Sequence, residues 1–218
     1  MALANKRIHI CDDWLTVDCS DLETIYRLCD QIRDDTHWME VVGGLQSVAV
    51  QFDPLLLTPN EALALFEKQL ASYAPTTARH YSEIELPVCY HTDFGPDQEL
   101  VADRMGIKPD DIAHWHSGLE FTVTMLGFMP GFGYLQAENT IPDIGRLPQP
   151  RQNVAAGSIG LIGRQSCVYS FDSPGGWPII GRTPTKLFDA NGQVPALLSA
   201  GQTVRFVAID KNEFEELS

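Results

Sequence analysis

Cysteine is sparse in this chain and badly placed for cross-linking. The five residues Cys11, Cys19, Cys29, Cys89 and Cys167 lie at wide, irregular spacing, with no C-x-x-C pair. That excludes a zinc ribbon or a disulfide framework and predicts reduced thiols. No apolar run approaches the roughly 18 residues a membrane helix needs. Met1 to Arg7 carry no apolar leader, so neither export nor membrane insertion is expected, and the cytoplasm is the expected location. Positive charge is also in short supply. Lys and Arg number 15 against 29 Asp and Glu, a net charge of −14, and binding to nucleic acid needs a positive face to displace counterions. No G-x-x-x-x-G-K-[ST] occurs anywhere, so a conventional P-loop is excluded.

What is present is enough for a folded core. The 218 residues are 44% hydrophobic, sufficient for one large domain or two small ones. The first ~90 residues alternate strand and helix patterns. Arg7 to Asp18 reads as a strand. Ser20-Asp21-Leu22-Glu23 reads as a capping box, after which Leu22, Ile25, Cys29 and Ile32 share a helical face. Trp38 to Val42 and Ser47 to Phe52 read as strands joined through Gly43-Gly44. Thr58-Pro59-Asn60-Glu61 starts a second helix, and Ile84 to Tyr90 reads as a strand. The order β-α-β-β-α-β predicts a ferredoxin-like α/β domain over residues 1–90. Pro96 to Met105 then forms a helix closed by Gly106.

The texture changes at Gly118, and 13 of the 17 glycines lie from there onward. Short strands between Gly/Pro turns predict a closed barrel or sandwich over 91–218. From Gly145 to Leu187, Arg146, Arg151, Arg164, Arg182 and Lys186 face one acid, Asp172. Such a cationic segment in an acidic chain suits an anionic ligand if the charges converge, and scattered loops if they do not.

Two glycine-rich stretches carry the candidate site. In Leu126 to Leu135, glycines allow close backbone approach, and the aromatics either wall a pocket or fill a core. In Ser173-Pro174-Gly175-Gly176-Trp177, exposed N–H groups can form an anion nest, with Arg182 adding a bidentate contact. His114-Trp115-His116 would share a metal only on a strand, and no third ligand lies at a suitable spacing, so no metal is expected. His116 is instead a candidate acid or base, or a satisfied structural histidine.

Several of these motifs together resemble a known family. Phe94-Gly95-Pro96-Asp97, His116-Ser117, the LGF-x-PGF-x-YL stretch, Pro150-Arg151, Ala156-Gly157-Ser158-Ile159-Gly160, Ser173-Pro174-Gly175-Gly176-Trp177, Ile180-Gly181-Arg182-Thr183-Pro184 and Leu187-Phe188-Asp189 are similar to the carboxyltransferase subdomain C/D family. That family includes the B-type subunit of 5-oxoprolinase, the first subunit of allophanate hydrolase, a domain of urea carboxylase and a sporulation-kinase inhibitor. Three loops depart from the family pattern, at Ala155, Gly133 and Gly145-Arg146-Leu147.

The resemblance implies an α+β chain with a cyclophilin-like β-barrel behind the N-terminal domain. It also implies one component of an ATP-dependent amide hydrolase, active in complex with the C-type and A-type subunits of 5-oxoprolinase. ATP, with Mg2+ as its counter-ion, would be bound by or shared with a partner. The site expected on this basis uses Arg151 and Arg182, with Arg146 in reserve, for anions. The turn of Ser173, Gly175 and Gly176 would donate N–H groups, and His116 would move a proton. Phe128, Pro130, Gly131, Phe132, Tyr134 and Trp177 would form the walls. Alternatives are a component of an allophanate hydrolase or urea carboxylase, or a non-catalytic inhibitor docking on a sensor kinase. A cyclophilin-like fold by itself does not imply prolyl isomerase activity.

Overall fold

Asp12 sets the first departure from the simple pattern. Its backbone is left-handed (φ 51), a conformation that Asp tolerates better than most residues. The expected strand over 7–18 therefore folds back on itself. β1 (Ile8–Cys11) pairs antiparallel with β2 (Trp14–Asp18), with Cys11 opposite Trp14. A computed structural model describes residues 6–74, 81–137 and 143–218.

The chain forms two compact units, 1–80 and 81–218. In the first, α1 (Leu22–Arg33), β3 (Trp38–Gly43), β4 (Ser47–Phe52) and α2 (Pro59–Ala71) follow the hairpin, and the sheet order is β1-β2-β4-β3. Leu15, Val17, Val48, Val50 and Phe52 alternate onto the buried face, with Ile25, Leu28 and Ile32 of α1. Each such side chain contributes about 1.5–3 kcal/mol by leaving water. The cap of α1 sits one residue later than the expected Ser20. Asp21 accepts from the Thr24 N–H at 2.8 Å, because a carboxylate is the stronger acceptor. Thr58 and Glu61 form a reciprocal capping box on α2.

The second unit holds β5 (Glu83–Cys89), α3 (Gln98–Met105), a 3-10 turn (Pro109–Asp111), α4 (Ile112–Ser117), β6 (Glu120–Leu126), β7 (Gly133–Ala137), β8 (Arg151–Val154), β9 (Ser158–Ile162), β10 (Gln165–Val168), β11 (Ser173–Gly175), β12 (Ile179–Arg182), β13 (Thr203–Ile209) and α5 (Lys211–Leu217). Seven strands close a barrel in the order β10-β7-β6-β13-β5-β12-β9, and β8 with β11 forms a separate ribbon. The α+β class with a closed barrel agrees with expectation.

The expected boundary between 1–90 and 91–218 moves to 80/81. The physical reason lies in β5, which pairs parallel with β13 over seven residues, Glu83 opposite Thr203 through Cys89 opposite Ile209. Its Leu86 and Val88 enter the barrel core. Within the first unit, β1 fills the position beside β2 instead.

The barrel wall has two sides, set by the two-residue period of its strands. Leu86, Val88, Phe121, Val123, Leu135, Ile159, Leu161, Val168, Ile180, Val204 and Phe206 fill the interior. The alternate residues Cys167 and Ile179 point outward and pack with Phe132, Val154, Tyr169 and Trp177 in a second cluster.

Candidate functional site

The outward-facing cluster floors a cavity of about 580 Å³ on the barrel's outer face, walled on one side by the ribbon's Pro174-Gly175-Gly176 turn. Phe128, Phe132, Tyr134, Tyr169 and Trp177 supply its aromatic surfaces. They hold one another by edge contacts: Phe132 meets Phe128 at 5.4 Å, and Tyr134 meets Trp177 at 5.9 Å between centroids. Phe128 is 64% exposed and left-handed (φ 69), a strained conformation for a bulky residue and of a kind that concentrates at functional sites.

Two arginines reach this cavity, Arg146 and Arg164. Among the described residues, neither has an ion pair or side-chain hydrogen bond, and none that lines the cavity is a carboxylate. Their segments are pinned together. Ile144 and Gly163 exchange both backbone hydrogen bonds, at 3.2 and 2.7 Å. The Leu147 N–H donates to the Gly176 carbonyl at 2.8 Å, and Arg104 Nη1 of α3 donates to the Gly145 carbonyl at 2.8 Å. The loop carrying Arg146 is thus fastened to the turn carrying Arg164 and to the glycine turn of the ribbon. The result is a cationic mouth over an apolar, hydrogen-bonding floor, an arrangement suited to a small anion with a flat or ring-shaped body.

The other expected anion-binding residues lie elsewhere. Arg151 and Arg182 line a second, smaller cleft of about 170 Å³ with Phe94, Asn153 and Ser158. Arg151 Nη2 donates to Asp97 Oδ1 at 2.8 Å, and Asp97 Oδ2 accepts from the Ile179 N–H at 2.7 Å. This chain of bonds ties the start of α3 to β8 and β12. Arg182 Nε donates to the Ala156 carbonyl at 2.8 Å, and its guanidinium lies 5.8 Å from the centre of the Phe214 ring. Both arginines therefore brace the barrel, and neither lines the cavity that Arg146 and Arg164 reach. Arg151→Ala would strand the buried Asp97 carboxylate. Chemical denaturation should show a loss of about 2 kcal/mol, with ligand affinity at the Arg146–Arg164 cavity falling less than on removal of either of those arginines.

His116 is likewise corrected. It sits on α4, a helix, so His114 and His116 diverge. Its side chain is 0% exposed and stacks on Phe206 at 4.5 Å between centroids. Nδ1 shares a hydrogen bond with Tyr90 Oη at 2.7 Å, and Nε2 with Ser166 Oγ at 3.2 Å. Ser166 belongs to the inner side of the wall, the cavity to the outer side, so the imidazole cannot reach a ligand there. Burial pushes its pKa down to about 3.

Of the remaining expected residues, Gly175, Gly176, Phe128, Phe132, Tyr134 and Trp177 line the cavity, whereas Ser173, Pro130 and Gly131 do not. Ser173 Oγ is buried without a hydrogen-bond partner among the described residues. The Pro130 carbonyl accepts from Ser170 Oγ at 2.6 Å. Gly131 is required by packing: at φ 76, a Cβ would lie 2.8 Å from the Phe188 Cβ. Sequence reasoning missed Arg164, Gln165 and Tyr169 as site residues. The signal for Arg164 was available, as it sits beside Gly163 in the tight turn between two apolar strands. No group of three His, Cys, Asp or Glu among the described residues gathers to hold a metal ion, and no helix among them is long and apolar enough to cross a membrane.

Set against known proteins, residues 5–198 match the model of the carboxyltransferase domain, subdomain C and D. The B-type subunit of 5-oxoprolinase from Escherichia coli O157:H7 is 34% identical over 194 residues, covering 88% of this chain and 87% of that protein. The protein of the same name from Bacillus subtilis (strain 168) is 39% identical over 148 residues, 68% of this chain and 62% of its own length. Among solved structures, a conserved uncharacterized protein of Pyrococcus horikoshii is 32% identical with a TM-score of 0.58, covering 95% of this chain and all of that one. The Kluyveromyces lactis urea carboxylase is 19% identical with a TM-score of 0.77. The match covers 98% of this chain but 23% of that one, and shows the fold alone.

Proposed function

The chain belongs to the carboxyltransferase subdomain C and D family, and from that membership we propose that it is the B-type subunit of a multi-protein 5-oxoprolinase. The reaction is 5-oxo-L-proline + ATP + water to L-glutamate + ADP + phosphate. The three relatives that carry the 5-oxoprolinase name support the choice of complex. The observation that carries the site is that Arg146 and Arg164, with no acidic partner among the described residues, both line an aromatic cavity.

The chemistry follows from the substrate. A lactam is stabilised by resonance, so water opens it slowly. Phosphorylation of the lactam oxygen converts that carbon into a far better electrophile. What this chain contributes is position: the arginines hold the carboxylate, and Phe132, Tyr134 and Trp177 exclude water from the ring faces. ATP, with Mg2+ neutralising its phosphates, is assigned to a site completed by a partner protein, because the sequence has no P-loop. The partners in this reading are the C-type and A-type subunits of 5-oxoprolinase, and the complex is placed in the cytoplasm.

The test is ATP hydrolysis by the reconstituted three-component assembly, with and without 5-oxoproline. Stimulation of hydrolysis and release of glutamate are expected. A well-folded complete assembly whose ATP turnover ignores 5-oxoproline would reject the reading.

A further inference from the structure

The ring of Tyr169 is buried, yet the residue lines the cavity, and its hydroxyl opens to the cavity space without a hydrogen-bond partner among the described residues. A phenol with no protein partner at a cavity floor makes its hydrogen bond to whatever enters the cavity, water or ligand. The surrounding structure holds the ring in this position. Phe132 meets it edge-on at 5.0 Å and 84°. Gly175 lies so close that a Cβ there would be 2.5 Å from Tyr169 Oη, so the hydroxyl occupies the space that any other residue at this position of the Pro-Gly-Gly turn would take. The fold keeps a glycine at the turn and, against it, a hydroxyl without a partner among the described residues, in a cavity that Arg146 and Arg164 also line.

We propose that the Tyr169 hydroxyl is a recognition donor for a carbonyl oxygen on the ligand, so that the cavity selects molecules bearing a neutral amide or lactam carbonyl as well as a carboxylate. The inference deepens the proposed function and rests on its placement of the carboxylate at the arginines. Division of labour supports it. The two guanidiniums satisfy an anion and do not distinguish one small carboxylate from another. Discrimination comes from a site that must hydrogen-bond a specific group, because an analogue lacking that group leaves the site's polar atom unpaired. Burial raises the phenol's pKa above its ordinary value, so it stays protonated as a donor. Tyr134, the other phenol on the wall, is less buried and its pKa is also raised by burial, with Arg146 pulling the other way.

The experiment titrates 5-oxo-L-proline and cyclopentanecarboxylate into the full chain by calorimetry, for the wild type and for Tyr169→Phe. The second compound keeps the five-membered ring and the carboxylate but lacks the lactam. The wild type should bind 5-oxoproline at least about tenfold more tightly. Tyr169→Phe, with an unchanged melting temperature, should lose about tenfold on 5-oxoproline and nothing on cyclopentanecarboxylate. If the variant keeps the preference, the donor role is wrong. If it weakens both compounds equally, the hydroxyl serves the carboxylate and the inference also fails. If the wild type binds neither compound, the carboxylate site of the proposed function falls, and this inference with it.

Discussion

Replacing Arg146 or Arg164 by alanine is expected to lower 5-oxoproline-stimulated turnover of the assembled complex by about 10- to 100-fold each, and the double replacement by at least about 100-fold. The magnitude comes from hydrogen bonds to a charged group, worth about 1.5–3 kcal/mol apiece, at about 1.4 kcal/mol per factor of ten. Neither guanidinium is committed to a partner among the described residues, so little stability is lost with it. The melting temperature should stay nearly constant while kcat/KM falls, which separates this result from that of Arg151→Ala. Arg146→Lys should recover only part of the loss, because an ammonium keeps the charge but not the planar fork. Raising salt should weaken substrate binding, since both arginines stand at an open mouth. Unchanged kinetics in the double variant would remove these residues from the site.

Acid should destabilise the barrel through His116. The unfolded chain takes up a proton near pH 6.5, whereas the folded chain refuses it until about pH 3. Between those values protons favour unfolding. The stability associated with the neutral imidazole is therefore fully present above about pH 6.5 and is lost as pH falls. From about pH 7.5 to pH 5 the expected loss is about 2 kcal/mol, with a limiting slope near 1.4 kcal/mol per pH unit. Urea denaturation across that range measures it, and His116→Gln should flatten the curve. The imidazole's own NMR signals give an independent check, since they should not titrate in the folded protein above about pH 4. An imidazole that titrates near pH 6.5 in the native state would contradict its placement in the core. Catalytic pH dependence, by the same logic, should not report His116.

Much of the architecture was legible because it rests on local periodicity. The α1 face of Ile25, Cys29 and Ile32, the strand Ser47–Phe52 and the Gly106 cap of α3 were all visible as patterns. What failed was pairing at long range. Ile84–Tyr90 looks like the last strand of the N-terminal domain, and nothing within it says that its partner lies more than a hundred residues later at Thr203–Ile209. The site divided along the same line. Its aromatic and glycine content was visible in the motifs around Phe132 and Gly175, but convergence was not. Arg151 and Arg182 sit in the more conspicuous motifs and turned out to brace Asp97, Ala156 and Phe214. Arg164 sits in a plain hairpin turn and reaches the cavity. The sidedness of a barrel wall explains His116 and Tyr169 alike. Ser166, which meets His116, faces in, whereas the neighbouring Cys167 faces out toward the cluster that holds Tyr169.

A crystal structure of the assembly with bound 5-oxo-L-proline tests the account most directly. The ring should lie against Trp177 and Tyr134, with its carboxylate within hydrogen-bond distance of Arg146 and Arg164. Density for the ligand in the Arg151–Arg182 cleft, with Arg146 and Arg164 left in solvent, would contradict it.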